Sequence, residues 1–210
     1  MNEQALTLRQ YYYLVLKPKL KFLYDRHSFF YYVLTLLGCA LLFFGFALIT
    51  QKFTTPYSGD YCQQGIPFAY NFYDSWWTFF KTGRFPLYDE NVMLGADNIT
   101  ANTFYGIFSP FVFPMLFFPR SWIPQLVAFL EIARLVIGGL LFRKYLKYLG
   151  VSENTSRLFS IAYAFTGWTA YILWFNSFYE VATFFPMVLW GIERCIKERK
   201  IDILSSGLFY

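Results

Sequence analysis

Apolar positions along this chain fall into long unbroken runs and one segment with helical spacing. Phe29 to Ile49 is 21 residues without a charge. At about 1.5 Å per helical residue, such a run crosses the roughly 30 Å core of a bilayer. Trp122 to Phe142, Leu158 to Phe175 and a stretch from about 178 to 196 are the next mainly apolar runs, the first and last of these three carrying charges. Between the first and second runs the pattern changes. Ala69, Phe72, Trp76, Phe79 and Phe80 recur at steps of three and four, while Asn71, Asp74, Ser75 and Thr78 do so on another face. This spacing predicts an amphipathic helix over 66–80, and Trp76-Trp77 in its middle places it flat among the headgroups.

Residues 104–119 are apolar but carry Pro110, Pro114 and Pro119, which reads as a broken segment at the outer surface. The basic residues decide whether it crosses. If it does not, thirteen Lys and Arg lie on the inner side and four outside (Lys52, Lys81, Arg84 and Arg120), with Arg134 inside a span. That is the positive-inside asymmetry of a membrane protein with its N-terminus in the cytoplasm. The predicted fold is an all-α polytopic membrane protein with spans at about 29–49, 122–142, 158–175 and 178–196. A basic cytoplasmic or interfacial arm, 1–28, precedes them, and a large outer loop, about 50–121, carries the membrane-parallel helix. Residues 204–210 read as the start of a further span, so the chain is expected to be a fragment of a larger membrane protein.

Composition agrees with this class. The chain is 57% hydrophobic and 24% aromatic but only 15% charged, below the roughly 25% charge of soluble domains. A net charge of +5 raises the question of nucleic acid, but the cations cluster at the ends of apolar runs, so no nucleic-acid partner is expected. Cys39, Cys62 and Cys195 are too scattered for a metal pattern, and His27 reads as interfacial. Ala162, Thr166 and Ala170 form a small-residue stripe on the third span, expected to serve helix packing.

Candidate chemistry gathers in the outer loop. Tyr57-Ser58-Gly59-Asp60-Tyr61-Cys62-Gln63-Gln64 puts a carboxylate, a turn and two amides just past a membrane exit, where a substrate arriving from lipid would be met. Asp60 is the expected catalytic group, with Tyr61 and Gln64 beside it as substrate-binding candidates. Asp89, Glu90 and Asp97 form a second acidic patch, open to holding a divalent metal, binding an acceptor or acting as a second acid. Arg84 and Arg120, near the outer interface, read first as interfacial anchors and second as cations able to grip a phosphate. Glu131 and Arg134 lie three apart in the second span and are expected to pair within the membrane. Glu180 is another outer carboxylate without an assigned role. No Walker loop, Rossmann fingerprint, zinc motif or nucleophile elbow is present, so neither a nucleotide cofactor nor a soluble nucleotide-sugar enzyme is expected.

Several short words resemble the bacterial YfhO family of polytopic membrane proteins. They are Gly59-Asp60-Tyr61 with Gln63-Gln64 and Pro67-Phe68, Gly95, and Tyr105 with Ser109-Pro110-Phe111. Ala162-Tyr163-Ala164-Phe165-Thr166-Gly167 and Leu189-Trp190-Gly191-Ile192-Glu193-Arg194 follow in the same order. The resemblance runs from about residue 29 to the end and looks like the amino-terminal part of longer relatives. It implies a GT-C-like glycosyltransferase fold with a catalytic acid in the first outer loop, a position that Asp60 matches. It further implies transfer of a sugar from a polyprenyl-phosphate carrier to an envelope polymer outside the cytoplasm, in the bacterial cytoplasmic membrane. The alternative is a non-catalytic membrane protein, either a transporter or flippase for the same lipid or an assembly partner.

Overall fold

The computed structural model describes residues 16–52, 54, 61–90, 95–172 and 176–198. It is mostly helical. Helix α1, Lys17–Thr50, leads through a π-helical turn, Tyr61–Gly65, into α2, Ile66–Thr82. Two short strands, β1 (Tyr88–Asp89) and β2 (Ala96–Asp97), pair antiparallel with Tyr88 opposite Asp97. Then come α3 (Asn98–Thr103), α4 (Val112–Met115) and a 3₁₀ turn, Arg120–Trp122. The remaining helices are α5 (Ile123–Tyr148), α6 (Glu153–Ala164), α7 (Gly167–Ile172) and α8 (Asn176–Glu198).

Two stretches among the described residues are long and apolar enough to cross a membrane, Ser28–Phe46 within α1 and Arg120–Tyr148, which contains α5. α1 begins eleven residues earlier than its apolar core, so part of the basic arm is helical and continuous with the first span. Helix α5 is central and packs against α1, α6 and α8. Two adjacent glycines permit this. A Cβ on Gly138 would stand 3.4 Å from the Thr183 Cα of α8, and one on Gly139 would stand 3.1 Å from the Leu36 side chain of α1. Small residues let membrane helices approach in this way. Ala40, Phe44, Ala128, Ile132, Leu135 and Tyr179 form the core between these helices.

The predicted helix over 66–80 is α2. Pro67 starts it in the first turn, and Gly83 ends it in the left-handed conformation (φ 69°) with its N–H bonded to the Phe79 carbonyl at 2.8 Å. Ala69 and Phe72 are buried as the spacing predicts, while Phe79 is 36% exposed. The polar positions divide. Asp74 and Thr78 face out, but Ser75 is buried and Asn71 half-buried. Their inward turn has a cause, because both bond the side-chain amide of Asn98 from α3, whose oxygen also accepts from Asn102 Nδ2.

Residues 104–119 are broken, as their prolines suggest, and one expectation, the third run, changes. The segment 104–119 contains only turns and the four residues of α4, and no helix in it is long enough to cross. The third run is not one helix. α6 ends at Ala164, Phe165 leaves helical geometry (φ −113°, ψ 36°), and α7 starts at Gly167. Thr166 caps the new start: its Oγ1 accepts the Thr169 N–H at 3.2 Å and bonds the Thr169 hydroxyl at 2.8 Å. Ala162 and Thr166 therefore do not share a helix face, and the small-residue stripe does not form.

Helix α8 contains Pro186 in its interior, which has no N–H for the Ala182 carbonyl one turn back. The Tyr163 hydroxyl of α6 donates to that carbonyl at 2.6 Å. At the other end of α5, Glu153 accepts from Arg143 (2.5 Å) and Arg157 (2.7 Å), closing the α5–α6 turn. Partial burial works to raise the Glu153 pKa, but these two guanidinium hydrogen bonds prevail and hold it below the usual carboxylate range.

Candidate functional site

A cleft opens between α2, the turns after α3, and the facing sides of α5 and α8. Each element reaches it for a local reason. The π-helical turn brings Gln64 and Gly65 to one lip, and α2 follows with Phe68, Ala69 and Phe72. After α3 the chain folds through tight turns, with the Tyr105 and Ile107 N–H groups both on the Asn102 carbonyl. Gly106 takes φ 98°, a conformation natural to glycine, and this delivers Ser109 to the floor. Helix α5 contributes Leu130 and Arg134, and α8 contributes Phe178 and Glu180.

The floor is charged. Arg134 Nη2 donates to Glu180 Oε1 at 2.9 Å, and the Ser109 hydroxyl donates to the same oxygen at 2.5 Å. Both charged side chains are largely enclosed, at 7% and 16% exposure. The guanidinium lies over the Phe111 ring, 4.5 Å from its centre. Arg134 stands eleven residues into α5, so the floor lies roughly 17 Å along that helix from its N-terminal end. The walls are aromatic, with Tyr105 packed on Phe68 at 4.3 Å between ring centres and Phe104 edge-on to Phe178.

The sequence-derived site residues separate. Asp60 lies outside the described residues, as does the Tyr61 side chain; Gln64, four positions after Asp60, lines the cleft. Arg134 is in the cleft, and its hydrogen-bonded carboxylate is Glu180 of α8, where a pairing with Glu131 was expected. Glu131, one turn along the same helix, is fully buried. Glu180 is the residue the sequence reading passed over. Its 46-position separation from Arg134 is invisible to helical spacing, and only its place between two spans marked it.

The other candidates have local partners. Asp89 is buried and accepts from Asn71 Nδ2 at 2.9 Å, fastening β1 to α2. Asp97 is the N-cap of α3, with Oδ1 accepting the Thr100 N–H at 2.6 Å. Arg120 makes a two-pronged contact with exposed Asp74 at 2.8–3.1 Å and covers the Tyr70 ring. Glu90 and Arg84 are exposed. Among the described residues, no group of three His, Cys, Asp or Glu assembles that could hold a metal ion.

The Thr100 N–H holds the Asp97 carboxyl below its ordinary pKa. A depressed carboxylate stabilises above its unfolded pKa and loses that contribution as pH falls through its folded value. Acidification below about pH 4 is therefore expected to loosen α3, seen as faster amide exchange at Asn98–Thr103, and Asp97→Ala should reproduce this at neutral pH.

A sequence model of the family described as bacterial membrane protein YfhO matches residues 30–208. No curated protein and no solved structure matches the chain. The match begins in the first membrane-crossing stretch, takes in the whole cleft and extends past α8, so the chain belongs to the YfhO family of bacterial membrane proteins.

Proposed function

We propose that this protein acts as a GT-C-type glycosyltransferase, moving a sugar from a polyprenyl-phosphate carrier to a hydroxyl of an envelope polymer outside the cytoplasm. The observation that carries the reading is the cleft itself: aromatic walls and a charged floor set well inside a span, with Gln64, four positions after Asp60 in the sequence, on its lip. Such a cleft suits a substrate that reaches it from lipid. In the proposed reaction Asp60 takes the proton of the acceptor hydroxyl. The acceptor oxygen bonds the sugar's anomeric carbon as the bond from that carbon to the phosphate oxygen breaks. The carrier phosphate leaves with the bonding electrons.

A second reading, a transporter for the same lipid, draws support from the α6–α7 break and from charges deep along α5, both features of transporter sites. Deleting the gene and following labelled sugar separates the two. For a transferase, the envelope polymer loses the sugar while lipid-linked sugar accumulates on the outer leaflet. For a transporter, it accumulates on the inner leaflet. Unchanged polymer glycosylation would overturn both.

A further inference from the structure

We infer that the Arg134–Glu180 couple is a recognition site for an uncharged, hydroxyl-bearing ring, and that a phosphate is not what it holds. The inference rests on reading the cleft as the sugar-transfer site. It turns on which atoms the described residues leave unused. Ser109 and Arg134 both bond Oε1 of Glu180, so among the described residues Oε2 has no hydrogen-bond partner. On Arg134, Nη2 is used while Nε and Nη1 have none, although the side chain is more than nine-tenths buried. A buried polar atom left without a partner is costly. The floor therefore offers an acceptor oxygen next to two donor N–H groups.

The ligand chemistry follows. A phosphate or carboxylate would satisfy the guanidinium but would be repelled by the Glu180 carboxylate. An ammonium would satisfy the carboxylate but oppose the guanidinium. A hydroxyl both donates and accepts, so neighbouring hydroxyls meet both groups without adding a charge. The walls complete the match. Phe68, Phe104, Tyr105 and Phe178 surround the opening with rings, suited to the apolar face of a saccharide. Glu180 and Arg134 are then both ligand-contacting residues, and Ser109 positions Glu180.

Three eight-carbon amphiphiles test the assignment on the full chain in lipid nanodiscs: octyl β-glucoside below its micelle concentration, octyl phosphate and octylamine. Binding is read from the shift in thermal unfolding. The glucoside is expected to bind and the two charged probes to fail to displace it. Glu180→Gln removes the acceptor charge and should weaken glucoside binding about tenfold or more. Tyr105→Ala, at the partly exposed mouth, should also weaken binding while leaving the unliganded unfolding temperature unchanged, which guards against a folding artefact in the first variant. Tighter binding of octyl phosphate, lost in Arg134→Gln, would overturn the proposal in favour of an anion site. Equal glucoside binding by wild type, Glu180→Gln and Tyr105→Ala would also overturn it. Glucoside binding that depends on Glu180, in a protein whose deletion leaves envelope glycosylation intact, would remove the transferase reading and leave the polyol site standing.

Discussion

Asp60→Asn is expected to lower sugar incorporation into the envelope polymer by about 10²–10⁴-fold, the range typical of losing a general base. The substitution keeps the shape of the side chain and removes its capacity to take a proton. Membrane insertion and protein level should hardly change. Asp89→Asn, Glu90→Gln and Asp97→Asn provide the comparison, since Asp89 serves the Asn71 contact and Asp97 caps α3. Wild-type incorporation by Asp60→Asn would exclude it as the base. Equal losses in all four would point to a diffuse effect of the acidic loop.

The largest loss of stability is expected at Arg134. Replacing it with Leu leaves Glu180 enclosed and strips it of its cation, with Glu131 buried one turn along the same helix. Breaking one side of a buried pair typically costs about 3–5 kcal/mol. Arg134→Leu should therefore unfold at a clearly lower temperature in detergent. The double replacement Arg134→Leu, Glu180→Leu should recover much of the loss, because two apolar side chains leave no charge to compensate. Arg134→Lys keeps the charge but lacks the planar fork, and should fall between. Unfolding of Arg134→Leu at the wild-type temperature would mean that the pair contributes nothing to the packing of α5 against α8.

Much of the scaffold was legible because its determinants are local. The charge-free run from Phe29 to Ile49 lies within α1, and the three- and four-step spacing of Ala69, Phe72 and Trp76 marks α2. Pro67 and Gly83 even mark its ends. The third run misled because hydropathy is blind to backbone direction: Phe165-Thr166-Gly167 is apolar enough to continue a span. Yet Thr166 three residues before Thr169 is a capping arrangement that starts a new helix. The acidic patch misled differently. Asp97 ahead of Asn98-Ile99-Thr100 is an N-cap in sequence as in structure, and that local signal was available. The Arg134–Glu180–Ser109 contact joins three separate elements. Only tertiary packing brings them together, so no periodicity could announce it.

Pro186 gives α8 a mechanical character that its length conceals. The helix has a weak joint in its middle, and the strap across that joint is the Tyr163 hydroxyl, supplied by a different helix. Glu180 sits on one side of the joint, and the cationic end with Arg194 and Lys197 sits on the other. The bending stiffness between the cleft and the far end of α8 is thus borrowed from α6. Because α6 stops just beyond Tyr163, at Ala164, the strap is anchored at the last turn of its own support, and a shift of that turn would alter the joint and the angle at which α8 presents its carboxylate.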